Sequence, residues 1–411
     1  LEENKNILLL TSPAPLKSGF SVREKRPPLG VGYLISVLRN NNYNVYFNDQ
    51  YLQKNDILNS PFLLKHNIDV IGIYSNTVCF QGTLDLLAQL KSQDWKGKII
   101  IGGPHTSVGS DMFSQEVDYI VIGEGEITLL DILQGKVDER IVQGKKVENL
   151  DTLPRLPWED FMSLPYHKNS KWLKSKKNIV TLNTSRGCPF NCTFCSVKSI
   201  WGREYRCMSA NRIIDEIEFL IKKYSIDGIY FREDHFTFNK QRTIDFCELL
   251  LKKNINIDWL CETRVDDLDD LEYQKLLAKA GCKVFYIGVE SGSPRMLKFY
   301  KKGETVEQFI KAFDNAKKAG ITTYASLITG IPGETKEDKQ LTKVFLKRIQ
   351  PDFITNNYYV GMPGSEIYNY LYDNKLYEYM DCNRILYPKG FWENNKQHKD
   401  KLVYNLKDIE G

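Results

Sequence analysis

The chain has no apolar run approaching the roughly 20 residues that a membrane helix needs, and no signal-peptide pattern opens it. It also has no internal repeat and no low-complexity tract. Charge of one sign is scarce, because the net charge is only +4 and the basic residues are dispersed. No polycationic face therefore points to nucleic acid. Nothing speaks for an oxidising compartment, so the nine cysteines are not read as a disulfide framework. A cytoplasmic, reduced setting is the expectation. Six of the nine (Cys79, Cys207, Cys247, Cys261, Cys282 and Cys382) are scattered singly and read as small buried hydrophobes. With 411 residues, 42% of them hydrophobic and 26% charged, the chain is long enough for two domains with separate cores.

The other three cysteines are not scattered. Cys188, Cys192 and Cys195 form C-x₃-C-x₂-C on a loop that follows the apolar, β-branched run Ile179–Leu182. Structural zinc sites and electron-carrying iron–sulfur clusters normally close their shell with a fourth protein ligand. Three thiolates around a cubane leave one iron open for a small molecule, and a plain zinc or buried-thiol loop is the competing reading.

This loop resembles that of the radical S-adenosylmethionine (SAM) superfamily. The resemblance implies a [4Fe–4S] cluster on Cys188, Cys192 and Cys195, SAM on the open iron, and Phe194 packed near the adenine. From residue 177 onward, strands are expected at Ile179–Asn183, Gly228–Phe231, Ile257–Glu262, Val284–Val289, Thr323–Ile328 and Phe353–Tyr359. Helical patterns lie between them, so the implied fold over 177–370 is a partial (β/α)₆ TIM-type barrel with its chemistry at the strand C-terminal ends. There the resemblance implies an acid for the SAM amino group, with Glu233 and Asp234 both open. Glu262 is implied for a ribose hydroxyl and Arg264, whose fork suits a carboxylate, for the SAM carboxylate. A solvated ion pair at a strand end competes for both. Glu290 and Ser291, in Gly288–Gly292, are expected to face the cavity. The turn holding Gly330 and Pro332 is expected along the adenine. The family carries an R-x-R near here, and Arg203 and Arg206 occupy its approximate place, with structural and catalytic roles both open.

Residues 1–145 alternate short strands (Ile7–Leu10, Val45–Phe47, Val70–Tyr74, Lys98–Ile101, Tyr119–Ile122) with amphipathic helices, which argues a doubly wound, Rossmann-like (flavodoxin-like) parallel sheet. Ligands of such sheets sit at the strand C-terminal ends. The loops there read Ser75-Asn76-Thr77, Gly102-Gly103-Pro104-His105 and Gly123-Glu124-Gly125-Glu126. These loops resemble the cobalamin-binding domain that precedes the radical core in one subclass of the superfamily. All of Ser75–Thr77, Gly102–His105 and Gly123–Gly125 are thereby implied in cofactor binding. No D-x-H-x-x-G is present to supply a histidine below cobalt, and His105 is not read as its replacement. A flavodoxin-like fold without a ligand is the alternative. Residues 146–176, rich in proline and aromatics, read as an ordered linker, and 371–411 as a C-terminal extension.

The resemblance implies a cobalamin-dependent enzyme that methylates an unactivated carbon, or a phosphorus centre, of a small-molecule or peptide substrate. It also implies an external one-electron reductant of the flavodoxin or ferredoxin type. The alternatives are a radical reaction without methyl transfer and a non-catalytic cofactor-binding partner or sensor.

Overall fold

The computed structural model describes residues 5–13, 25–53, 56–58, 61–114, 116–166, 173, 176, 178–391 and 403–404. Parts of the expected linker and C-terminal extension therefore lie outside the described residues. The chain divides into two compact units, one formed by residues 1–167 with 199–201 and the other by the remainder.

The first unit is a six-stranded sheet in which every pairing is parallel. Its order is Asn44–Asp49, Asn6–Thr11, Val70–Tyr74, Lys98–Gly102, Tyr119–Ile122 and Ile141–Gln143. Ile7 and Leu9 pack on one face with Val31, Ile35, Leu129 and Ile132, which come from the helices Leu29–Asn40 and Glu126–Leu133. Leu8 and Leu10 pack on the other with Phe80, Leu86, Leu87 and Leu90 of the helix Phe80–Ser92. Covering both faces is what a parallel sheet requires, and it makes the strands read as continuous apolar runs. The strand Ile141–Gln143 was not expected. It has only three residues, Ile141, Val142 and Gln143, at the sheet edge and none is buried, so it is too short to stand out as a strand. Residues 150–166 wrap onto this unit. Trp158 and Phe161 are buried, and Phe161 fits so closely that a Cβ on Gly32 would meet its ring at 2.7 Å. Tyr166 donates a hydrogen bond to Asp49 at the end of the edge strand.

The second unit places the strands Ile179–Leu182, Gly228–Phe231, Asp258–Thr263, Cys282–Glu290, Thr322–Thr329 and Phe353–Tyr358 side by side in chain order, all parallel. The helices Ala210–Tyr224, Lys240–Lys252, Leu271–Lys279, Val306–Ala319 and Lys336–Ile349 alternate with them. Alternation along each strand sends Ile179, Tyr230, Leu260, Val284 and Tyr324 to one shared cluster, the apolar floor of the lumen. The sixth strand also takes an antiparallel partner, Val403–Tyr404. The chain after the barrel adds the helix Glu366–Asp373 and a hairpin of Tyr377–Met380 with Leu386–Pro388.

Candidate active site

The cysteine loop leaves the first barrel strand and is clamped to the segments after the fourth and sixth strands. Thr193 N donates to Tyr300 O at 2.9 Å, its hydroxyl to Phe299 O at 3.1 Å, and Ile367 N donates to Thr193 O at 3.0 Å. Cys188, Cys192 and Cys195 are half-buried free thiols. Their sulfurs are not gathered within 4.8 Å of one another. A single tetrahedral zinc would hold thiolate sulfurs about 3.8 Å apart, so the three sulfurs as they stand do not share one ion. Burial pushes the Cys195 thiol up to about 12. It raises Cys192 too, against which Lys302 and Arg264 act as nearby cations.

Glu290 owes its position to backbone geometry. The strand register shifts between Gly288 and Glu290, and Glu290 itself takes φ +63°. A bulge with a left-handed non-glycine residue re-aims a side chain at the end of a strand. The carboxylate then lies over Gly288, where an added Cβ would meet Glu290 Oε1 at 2.6 Å and Lys302 Nζ at 3.2 Å. Lys302 Nζ is 3.6 Å from Glu290 and 3.3 Å from Glu304, and all three side chains are buried. Burial works against the ammonium, but Glu304 and Glu290 outweigh it and raise the Lys302 pKa. Lys302 and Glu304 were not singled out in the sequence. Two charges in the KGET segment after an apolar helix were the only signal.

Arg264 has its fork occupied. Its Nη2 is 2.9 Å from Asp266 Oδ2 and 3.5 Å from Glu304, and it donates to Lys302 O at 2.7 Å. Its guanidinium lies 3.7 Å above the Phe190 ring, and Nη1 is 3.7 Å from Cys192 Sγ. The expected pairing with a SAM carboxylate would have to displace Asp266, so the geometry makes Arg264 a brace of the cysteine loop.

The two acids left open after the second strand are now distinguishable. Glu233 is buried and accepts from the Thr184 hydroxyl at 2.7 Å and from Ser185, which ties it to the entry of the cysteine loop. Asp234 is exposed to solvent within a crowded surrounding, and burial together with the Glu262 and Glu233 carboxylates raises it to about 7. Glu262 faces the lumen and takes a 2.5 Å hydrogen bond from Tyr230. Its pKa is raised, first by burial. Phe194 stands edge-on to Tyr300, with ring centroids 5.5 Å apart, in one apolar cluster with Met296, Ile331 and Tyr359. Ile331 of the Gly330–Pro332 turn thus shares a cluster with Phe194, with Gly330 at φ +76° and its N–H donating to Glu334. Ser291 does not face the cavity. Because Glu290 takes the turn, the Ser291 hydroxyl is sent under the helix Lys336–Ile349, 3.1 Å from Thr342 Oγ1. Arg206 is buried and Arg203 exposed.

In the first unit the polar residues of the loops turn inward. Ser75 Oγ is 2.8 Å from Thr83 Oγ1, and Asn76 accepts from Cys79 N. His105 is fully buried, stacked on Phe80 at 4.1 Å, with Nδ1 3.3 Å from Thr77 Oγ1. Glu124 is buried and accepts from Val147 N at 3.0 Å. These groups brace the loops from below. The surface left at the strand ends is backbone and small residues, namely Gly102, Gly103, Pro104, Gly123 and Gly125. Gly103 is demanded by the fold, with φ +104° and Ser75 O 2.5 Å from where its Cβ would be. Gly102 is not. It has no positive φ, and the nearest atom to its Cβ position is 3.9 Å away. A glycine that the fold does not need, at the end of a central strand, fits the close approach of a flat ligand such as a corrin.

A parallel sheet with a glycine edge, followed by a six-stranded half-barrel carrying three free cysteines, defines a two-domain α/β protein. Comparison with known proteins makes the class specific. Residues 182–345 match the radical SAM superfamily model, and residues 19–133 match the B12 binding domain model. An uncharacterized methyltransferase of Pyrococcus horikoshii is 31% identical over 388 residues, spanning 90% of this chain and 84% of the relative. The anaerobic magnesium-protoporphyrin IX monomethyl ester cyclase of Rubrivivax gelatinosus is 28% identical over 89% of this chain and 70% of its own. Among solved structures, the cobalamin-dependent SAM radical enzyme OxsB with aqua-cobalamin bound superposes with a TM-score of 0.70 at 23% identity, over 91% of this chain and 56% of that one. The radical SAM methyltransferase TsrM from Kitasatospora setae, with cobalamin and a [4Fe–4S] cluster bound, gives a TM-score of 0.68 at 16% identity over 90% of this chain and 78% of that one. The chain thus spans just over half of OxsB. The protein belongs to the radical SAM superfamily, among the members that carry a B12-binding domain. Its cofactors are accordingly a [4Fe–4S] cluster, SAM and cobalamin. Among the described residues no helix is long and apolar enough to cross a membrane.

Proposed function

We propose that this protein is a cobalamin-dependent radical SAM methyltransferase that places a methyl group on an unactivated carbon, or a phosphorus centre, of a small-molecule or peptide substrate. An external flavodoxin- or ferredoxin-type protein in the cytoplasm would supply the electron. The observation that carries the reading is the pairing, in one chain, of an open three-cysteine loop with a sheet edge whose Gly102 the fold does not require. When bound, the cluster with SAM supplies a radical able to take hydrogen from an unreactive C–H bond, and cobalamin supplies the methyl group.

The residues do the holding and the exclusion. Cys188, Cys192 and Cys195 carry the cluster, and Arg264 and Lys302 place positive charge beside Cys192. Asp234 offers the carboxylate for the SAM amino group, because Glu233 is already committed to Thr184 and Ser185. Phe194, Tyr300 and Ile331 form an apolar seat for an adenine. Tyr230 fixes the rotamer of Glu262 and leaves one carboxylate oxygen for a hydroxyl in the lumen. The floor of Leu260, Val284 and Tyr324 keeps water from below. Cyclisation without methyl transfer is the second reading, favoured by the similarity to the Rubrivivax cyclase over 89% of the chain. Anaerobic incubation with SAM and a reductant, with and without bound cobalamin, separates the two. Methyl transfer requires S-adenosylhomocysteine to appear only in the cobalamin-loaded enzyme, beside 5′-deoxyadenosine. Deoxyadenosine alone in both would favour cyclisation.

A further inference from the structure

Behind the cysteine loop lies a group of ligand-type side chains, one buried and two partly buried, that the proposed reaction does not use. His235 follows Asp234 at the end of the second barrel strand and is 0% exposed. Asp266 and Asp267 follow the third strand, and the three residues present ligand atoms that all lie within 4.8 Å of one another. His235 Nε2 is 2.6 Å from Asp267 Oδ2, yet neither ring nitrogen has an aligned hydrogen-bond partner. A fully buried imidazole in that condition is costly, because its polar atoms have given up water and gained nothing directional.

From this geometry we infer a second metal site, distinct from the cysteine cluster, formed by His235, Asp266 and Asp267 and suited to a first-row divalent cation such as Mn²⁺, Fe²⁺ or Zn²⁺. Two donor atoms about 2.1 Å from one ion stand roughly 2.6–3.0 Å apart when they meet at an acute-to-right angle, and the ion, not the partner atom, lies along the imidazole lone pair. That is the relation His235 Nε2 has to Asp267 Oδ2. A simple histidine–aspartate pair would put the N–H on the line between them. The donor set of one neutral imidazole and two carboxylates matches borderline-to-hard divalent ions and not a thiophilic one. Asp266 also receives Arg264 at 2.9 Å, and Arg264 reaches Cys192 Sγ. Asp266 is thus shared between the ion and the guanidinium, in the way outer partners orient ligands. Thr237 Oγ1 holds Asp267 Oδ2 at 3.0 Å from the other side. Both carboxylates are only partly buried, with side-chain exposures of 24% and 19%, so water can complete the shell. The ion would lock the ends of the second and third strands beneath Phe190, whose ring centroid is 5.7 Å from that of His235.

The test is an anaerobic titration of the cluster-loaded enzyme with Mn²⁺, read from the loss of the six-line signal of free Mn²⁺. Manganese is the probe because it does not compete for thiolates. One equivalent should bind, and His235→Ala and the near-isosteric Asp267→Asn should each weaken it at least tenfold. Asp269→Asn, an exposed neighbour, should leave it unchanged. Should His235→Ala lose its cluster, Asp267→Asn still decides. No binding by the native enzyme up to millimolar Mn²⁺, or binding that neither variant weakens, overturns the site and leaves a plain histidine–aspartate contact.

Discussion

Replacing Asp234 by Asn, set beside Glu233→Gln, tests how the barrel divides labour between two adjacent acids. Asp234 is exposed, without a hydrogen-bond partner among the described residues, whereas Glu233 is buried and accepts from two hydroxyls. If Asp234 receives the SAM amino group, Asp234→Asn removes one charge-assisted hydrogen bond. Such a bond contributes about 1.5–3 kcal/mol, or a roughly 10- to 150-fold weaker Kd for SAM. The protein fold and the cluster should be unaffected, because nothing in the fold leans on that carboxylate. Glu233→Gln keeps one acceptor and turns the other into a donor facing a hydroxyl. It should lower stability by about 1–3 kcal/mol while SAM affinity in the surviving folded protein changes little. Equilibrium SAM binding to the oxidised, cluster-loaded enzyme under anaerobic conditions measures the first effect, and denaturant midpoints measure the second. SAM affinity unchanged in Asp234→Asn but lost in Glu233→Gln would refute the assignment.

Three further outcomes follow from the same geometry. Gly102→Leu should abolish cobalamin retention while the cluster and its SAM cleavage persist, and the spectrum of protein prepared with cobalamin reads this directly. Gly103→Leu is a poorer probe, because Ser75 O already lies 2.5 Å from the Cβ position and the loop itself would shift. Each of Cys188→Ala, Cys192→Ala and Cys195→Ala should remove the brown absorbance and all 5′-deoxyadenosine formation, and a variant keeping full iron and activity would not be a ligand. Asp338 closes the capping box that Thr335 opens on the helix Lys336–Ile349, accepting from Thr335 N–H and hydroxyl at 2.8 and 2.6 Å, from Ser293 at 2.6 Å, and from Arg295. Arg295 first, then Ser293 and Thr335, hold its pKa well below the usual carboxylate range. A depressed folded pKa gives stability that is complete above the unfolded value of about 3.9 and is lost as pH falls through the folded one. Asp338→Asn should therefore cost about 1–2 kcal/mol at pH 7, and the gap to the native protein should narrow only below about pH 4.

The strands were legible because both units are parallel sheets covered on two faces, which turns runs such as Ile7–Leu10 and Val284–Val289 into unbroken apolar words. Ile141–Gln143 was missed because two apolar residues in a three-residue edge strand are too short a run to stand out. The cysteine loop was legible because its ligands are adjacent in sequence. What surrounds it was not, since Lys302 and Glu304 meet Arg264 only through the fold. Residue type could name a guanidinium at position 264 but could not show that Asp266 already occupied it. The family resemblance put both Glu290 and Ser291 in the cavity, and the bulge at Gly288–Glu290 instead sends the Ser291 hydroxyl to Thr342. In the first unit the polar loop residues were read as ligand contacts, but Ser75, Thr77, His105 and Glu124 have polar neighbours of their own within the loops. The glycines carried the signal.

The most direct test is an incubation of the enzyme with a one-electron reductant and SAM whose methyl group carries three deuteriums, with substrate withheld, in the dark and without oxygen, followed by the mass of the extracted corrinoid. Methyl transfer through this chain predicts three deuteriums on the corrinoid, with an equivalent amount of S-adenosylhomocysteine, from the native enzyme and none from Gly102→Leu. Corrinoid recovered without label, while 5′-deoxyadenosine accumulates, would contradict it.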